Sequence, residues 1–541
     1  MKRLLFVVLA LVMLVLVAPT VAQDASNTLR IVLQQEADTL SPQYTNMWFA
    51  GTVQDLIHAQ SWWIDNTGNP VPAIASEIPS VENGGLSADG TIITIKIREG
   101  AVWSDGTPIT ADDYVFTYEM YLADGNTVTS RFPWNEKVAS VTAADAATVV
   151  ITTNEPYAAW LNQLNMIPIP AHILKPYFEA NGNINDAPWN REPDVVSGPY
   201  KFVSWEAGSQ MMFTANENSF LGVPKIANVL VQFVPDDATV VSSLVAGDSD
   251  VGTFIATGDT PALSDAGVNI ELVPSGYNEG WYFNVRDGLG HPALQDVNVR
   301  KALIMLFDRD TINKDLNLGL LYTGSSFWQE MPYMRPDAKP IPYDPEAAKA
   351  MLDAAGWVDS NGDGSRDKDG VEMVLRYVTN QRQLRKDIQA IVKQAFEEAG
   401  VGVEIFNYDS DIFFAGFAEG APMAIGDYDI GEYSSNPAYP DPDTSRFICS
   451  EIPTEDKPDG VNDSGLCDPA LDALFVQQAA TTDFNARVEV FHQIDQMMAD
   501  MVVWTNVWYD PDLWAINGRI ANTLVSGADP LWNAVNWEIK G

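Results

Sequence analysis

Asp359, Asn361, Asp363, Ser365 and Asp367 stand at alternate positions of one short run, with Gly364 in the sixth place. Oxygen-bearing side chains at that spacing suit a hard cation, because a loop that turns at a glycine can aim them inward. The run resembles the first half of a calcium loop, but its twelfth position is Gly370, where a bidentate acid belongs, and Glu372 comes two residues late. A hairpin in which Asp and Asn side chains bond their own backbone accounts for the same residues. A structural calcium and a bare hairpin both stay open, and no other cofactor is required. The two cysteines are Cys449 and Cys467, with no histidine between them to suggest a metal site. In an exported chain a disulfide is expected, closing a short polar loop, with free thiols as the alternative.

Residue patterns for catalysis are sparse. The four histidines, His58, His172, His291 and His492, form no H-E-x-x-H, and neither G-x-S-x-G nor a phosphate-cradling Walker loop occurs. Carboxylate pairs for glycoside hydrolysis could be drawn from 73 acidic residues, but no spacing selects one pair. The chain is therefore read as a non-enzyme, with a secreted hydrolase as the rival class.

The elements that must position any site alternate between strand and helix, which predicts an α/β fold. Ile93, Ile95 and Ile97 alternate with Thr94 and Lys96 in a half-buried strand over 91–98. Asp105-Gly106 then marks a turn, and Thr110 with Asp113 three residues on forms a capping pair at a helix start. Asp344-Pro345-Glu346 starts another helix, with Asp as cap and Pro in the first turn, and Gly356 stops it. A strand over 373–378 follows. Leu384, Ile388, Ile391, Val392, Ala395 and Phe396 then share a helical face ended by Gly400, and Val401, Val403 and Ile405 alternate as a second strand. This is a β-α-β unit. Val488, Phe491, Ile494, Met498 and Met501 make a core-facing stripe on a late helix.

Lys2 and Arg3 precede an apolar run over 4–17, and Ala22 sits among small residues, the pattern of a secretory signal. The apolar run is short for a membrane span, and no cysteine near the cleavage site offers a lipid anchor. Residues 1–22 are expected to be removed, placing the protein in the periplasm or at the cell surface. The remaining length, about 519 residues, implies two or three domains. With 31 basic and 73 acidic residues the formal net charge is −42, which repels nucleic acid and anionic lipid. A hydrophobic content of 46% and 16 Trp rule against disorder.

Trp103-Ser104-Asp105-Gly106, continuing through Pro108, Thr110, Ala111 and Asp113, resembles the signature of the extracellular solute-binding proteins of the peptide/nickel/sugar type, family 5, which feed ABC importers. Further segments agree in order: Leu40-Ser41-Pro42, Ser197-Gly198-Pro199-Tyr200, Asn284 with Pro292 and Val297 to Asp308-Arg309, Tyr343-Asp344-Pro345-Glu346, and Ala355-Gly356-Trp357. The Cys449/Cys467 pair and Asp472 also sit where relatives carry them. The resemblance implies a three-lobed periplasmic-binding-protein-like fold (type II, cluster C). Domain I would comprise 23–62, 193–283 and 506–541; domain II, inserted, 63–192; and domain III, 284–505. The Trp103–Asp113 stretch would fall in domain II, away from the solute. Two lobes would close on a solute in the cleft between I and III and deliver it to a membrane permease, the protein acting as a monomer.

The same resemblance places cleft residues at Thr45, Asn46, Met47, Trp48 and Phe49 on one lobe. On the other it places Glu432, Tyr433, Ser434, Ser435, Asn436, Tyr439 and Asp441, with Tyr277, Trp281 and Asn284 near a crossing between lobes. Flat aromatic faces with a polar handle suit either sugars or peptide side chains. Peptide-binding relatives carry an Asp just before the Asp-Pro of domain III, where it pairs with the ligand's α-ammonium. Here that position is Ser, Asn or Ala. A buried ammonium needs an anionic partner, so either Glu432 or Asp441 substitutes or the ligand has no free amino terminus. An oligopeptide is the expected solute, with an oligosaccharide as the alternative.

Overall fold

The structure, a computed structural model, describes residues 27–45, 47–417, 420–435, 441–442, 444–458 and 460–540. The signal segment and Asn46, Asn436 and Tyr439 lie outside the described residues.

Three sheets organise the chain. The first has the strand order Val268–Val273, Asp512–Asn517, Val251–Gly252, Thr28–Leu33, Asn228–Phe233, Gln210–Ala215, Tyr200–Glu206. Its central strand, Thr28–Leu33, buries Leu29, Ile31, Val32 and Leu33 on its two faces, and it runs parallel to Asn228–Phe233. A strand covered on both sides reads as a continuous hydrophobic run of this kind. The second sheet orders Gly402–Tyr408, Val374–Asn380, Ile430–Ser435, Asn278–Phe283, Trp504–Tyr509. The expected β-α-β unit is here: Val374–Asn380 pairs in parallel with Gly402–Tyr408 across the helix Gln383–Glu397. Ile388, Val392 and Phe396 of that helix are fully buried.

The third sheet is antiparallel, Ile92–Lys96, Thr148–Thr153, Val138–Asp145. Ile93, Ile95, Val149 and Ile151 enter its core together with Trp103 and Tyr114. The helix Ala111–Leu122 begins as expected: the Thr110 amide donates to Asp113 Oδ2 at 2.8 Å, while Asp113 Oδ1 accepts from the Ala171 amide at 2.9 Å. Asp105 Oδ1 accepts from the Thr107 amide at 2.9 Å across a turn whose Gly106 has φ of 88°. This stretch thus fixes a turn and a helix start.

One strand expected to go with the first sheet pairs in the second. Asn278–Phe283 was assigned to domain I, but it pairs with Ile430–Ser435 and Trp504–Tyr509 in the second sheet. The chain therefore passes between the first two sheets at 274–277 and again at 510–511. These crossings lie side by side, with the Asp510 amide donating to the Tyr277 carbonyl at 3.1 Å and Ser275 Oγ to the Asp510 carbonyl at 2.9 Å.

In the Asp359–Asp367 run, side-chain oxygens bond the loop's own backbone, as the hairpin alternative expects. Asp359 accepts from the amides of Gly362 (2.6 Å) and Gly364 (3.0 Å), Asn361 Oδ1 from Asp363 (2.9 Å), and Asp363 Oδ1 from Ser365 (2.8 Å). Asp367 accepts from Ser360 Oγ at 2.6 Å. Among the described residues no group of three or more His, Cys, Asp or Glu is arranged to hold a metal.

Candidate functional site

Tyr277, Tyr433 and Ser434 come together on the wall of one cavity of about 500 Å³. Phe413, Phe414, Met423, Arg446, Val461 and Asp463 also line it. Tyr433 is its centre. The strand Ile430–Ser435 holds the ring parallel to Tyr282, centroids 4.6 Å apart and planes 8° apart, while Phe413 and Phe414 meet it edge-on at 6.1 and 5.9 Å. The Tyr433 hydroxyl donates to Asp463 Oδ2 at 3.2 Å and accepts from Arg446 Nη1 at 3.3 Å. Three apolar side chains of the lining stand exposed: Tyr277 at 44%, Phe414 at 55% and Val461 at 37%. Apolar walls with a few fixed polar groups are the usual make-up of a small-molecule or peptide site.

Asp463 comes from the loop between Cys449 and Cys467, whose sulfurs lie at bonding distance with Cα atoms 4.5 Å apart. Buried Asn462 pins that loop: Nδ2 donates to the carbonyls of Ile448 (3.0 Å) and Leu466 (2.8 Å), and Oδ1 accepts from Ser464 Oγ at 2.9 Å. The Tyr428 hydroxyl adds a bond to the Asp463 carbonyl at 2.8 Å. Burial pushes the Asp463 carboxyl above its ordinary value, against the pull of the Arg446 guanidinium and the Tyr433 hydroxyl.

Several expected site residues lie elsewhere. Glu432 is fully buried behind the strand, accepting from the Tyr377 hydroxyl and from Trp281 Nε1 at 3.4 Å. Its neighbour Glu279 is clamped by Arg385 through bonds of 2.7 and 2.9 Å. Burial first, and then the charge of Glu279, push the Glu432 carboxyl up to about 8. Trp281 is a core residue, stacked on Phe307 at 4.5 Å. Asn284 is likewise internal, its Nδ2 donating to the carbonyls of Gly426 and Tyr428, both at 2.9 Å. Ser435 Oγ is bonded to the Tyr282 hydroxyl at 2.5 Å. Asp441 is ion-paired with Arg487 beside a different cavity, lined also by Lys137, Glu155 and Tyr157.

On the first sheet, Met47 packs against the core and Trp48 opens the helix Trp48–Ile57. Trp48 meets Phe49 at 5.2 Å and Phe254 at 4.9 Å. Phe254 follows the short strand Val251–Gly252, is 45% exposed and has φ of 53°. Thr45 Oγ1 is spent on Asp38 Oδ1 at 2.7 Å, and Thr45 lines a separate, smaller cavity with Gln43 and Gln60. Phe254, Phe414, Arg446 and Asp463 were missed on sequence. The bracketing cysteines were the one local hint for Asp463.

Known proteins resemble the chain in sequence and in overall fold. The profile of the bacterial extracellular solute-binding proteins, family 5 middle, matches residues 69–450. The oligopeptide-binding protein AppA of Bacillus subtilis is 28% identical over 362 residues, 65% of this chain, and the chain spans 64% of that relative's length. The oligopeptide-binding protein OppA of Mycobacterium tuberculosis is 25% identical over 466 residues, covering 82% of this chain and 74% of the relative. The solved ABC transporter substrate-binding protein CtaP of Listeria monocytogenes superposes with a TM-score of 0.72 at 25% identity, covering 95% of this chain and 99% of that one.

Proposed function

The chain belongs to the bacterial extracellular solute-binding proteins of family 5, and from that footing we propose that it captures an oligopeptide outside the membrane and hands it to an ABC permease. The observation that carries this reading is the cavity around Tyr433, where exposed aromatic faces meet one carboxylate and one guanidinium. Apolar walls take peptide side chains, and opposite fixed charges suit a zwitterionic chain. Asp463 is the acid in that lining, so in this reading it pairs with the ligand's ammonium, a role that Glu432 and Asp441 do not fill from their positions. The names of AppA and OppA support the ligand class.

The aromatic cluster of Trp48 and Phe254 on the first sheet forms the opposing wall. Closure about the two crossings at 274–277 and 510–511 brings the walls onto the ligand, and contacts made only in the closed state shift the equilibrium toward it. The Cys449–Cys467 disulfide, export by residues 1–22 and a monomeric state belong to the same proposal. Among the described residues no helix is long and apolar enough to cross a membrane. The reading involves no bond chemistry.

Titration with unmodified and N-acetylated pentapeptides of the same sequences tests it. Binding that is lost on acetylation and weakened by Asp463→Asn is the expected result. Binding of cello- or xylo-oligosaccharides and of no peptide would overturn it.

A further inference from the structure

The crossings at 274–277 and 510–511 are not the only tie between the lobes. The part of the chain built on the three-stranded sheet grips the corner between the helices Pro469–Ala480 and Phe484–Met501. Trp160, which packs edge-on against Trp62 at 5.8 Å, donates its indole N–H to the Thr482 carbonyl at 2.7 Å. Arg487 Nη1 donates to the Ala158 carbonyl at 3.3 Å. Phe484 packs against both the core around Trp103 and the core around Phe491. Gly90 sits so close that an added Cβ would lie 2.2 Å from Thr482 Oγ1.

Arg487 is held by several further partners. It is 5% exposed, its Nε donates to Gln478 Oε1 at 3.0 Å, and its guanidinium lies 5.6 Å from the ring centres of both Tyr333 and Phe491. The same Nη1 pairs with Asp441. One planar fork thus joins the Ala158 carbonyl of one lobe to the Asp441 carboxylate, beside the cavity that Lys137, Glu155 and Tyr157 also line. A lysine has one point charge and cannot hold all these partners at once.

We propose that this contact is a latch: the inserted lobe holds domain III near the closed arrangement before ligand arrives, and Arg487 ties the latch to Asp441. Opening must break the Trp160–Thr482 and Arg487–Ala158 bonds and separate Phe484 from one of its two cores. The role of the inserted lobe is then to set the resting ratio of open to closed molecules, and through it the apparent affinity. For its ligand the latch rests on the peptide reading; for its existence it does not.

The test is the distance distribution between spin labels at Ala144→Cys and Glu489→Cys, both exposed positions, measured by pulsed electron spin resonance. It compares the otherwise wild-type protein with Trp160→Phe, and with Trp160→Phe combined with Arg487→Lys. Circular dichroism and the thermal midpoint establish that each variant is folded. Without ligand, Trp160→Phe should gain a longer-distance population, raising the open fraction by about fivefold for one lost hydrogen bond, and the double variant should gain more. Folded variants whose distributions coincide with the unsubstituted protein would overturn the latch. An equimolar mixture of unmodified pentapeptides should restore the short distance; its failure to do so counts against the peptide reading, and the ligand-free comparison still decides the latch.

Discussion

The Tyr433 hydroxyl donates to Asp463 Oδ2 at 3.2 Å and so joins the strand Ile430–Ser435 to the loop between Cys449 and Cys467. That bond aligns an aromatic face and a carboxylate on one cavity wall, although the two residues are 30 positions apart. Tyr433→Phe should keep the stacking on Tyr282 and lose the tie. The expected result is an unchanged thermal midpoint to within a few degrees and a peptide Kd weaker by about three- to tenfold, the usual cost of one hydrogen bond. Calorimetric titration measures it, and an unaltered Kd would show that the loop is positioned without this bond.

The cysteine pair should matter for both stability and binding. In the chain-entropy picture, opening a loop of this size costs about 3 kcal/mol. Cys449→Ser with Cys467→Ser should lower the stability of the second sheet's lobe by that order, read from urea unfolding, and should weaken peptide binding because Asp463 and Val461 ride on the loop. Lost stability with fully retained affinity would separate the loop from the site.

Glu432 makes a pH prediction with a definite sign. Its folded carboxyl is raised to about 8 from the usual 4.5, so the folded state holds the proton more tightly than the unfolded chain. The stabilisation from Glu432 is therefore fully present below the unfolded value and is lost as pH rises through 4.5 to about 8. Glu432→Gln keeps the shape and removes the charge. It should raise the thermal midpoint relative to the parent at pH 9, by an amount worth up to a few kcal/mol, and change little at pH 4. An equal effect at both pH values would contradict the buried-proton account.

Gly198, in the Ser197-Gly198-Pro199-Tyr200 segment, explains part of the family pattern physically. A Cβ there would lie 2.4 Å from the Ile57 carbonyl carbon and 2.7 Å from the His58 amide. Backbone cannot yield as a flexible side chain does, so Gly198→Ala should destabilise by about 1–3 kcal/mol, visible as a lower urea midpoint with unchanged slope.

These cases show how far local pattern carries. The turn at Gly106, the cap at Thr110 and Asp113 and the β-α-β unit over 374–408 were legible because each rests on neighbours a few residues apart. The orientation of Glu432 was not. The strand Ile430–Ser435 is buried along nearly its whole length, so alternation could not say which side chains face a cavity and which face Tyr377 and Trp281. The strand Asn278–Phe283 is buried at every position, which hid its membership of the second sheet for the same reason. Asp463 was one acid among 73, and only tertiary closure of its loop brings it to Tyr433.

The central claim is tested most directly by the unfolding free energy in the presence of candidate solutes. An unmodified pentapeptide that occupies the Tyr433–Asp463 cavity, at 100 times its Kd, should stabilise the folded protein by about 2.7 kcal/mol, and Asp463→Asn should remove most of that gain while leaving the ligand-free stability close to the parent. Stabilisation by oligosaccharides with none from any peptide, or a peptide effect that Asp463→Asn leaves intact, would contradict the account.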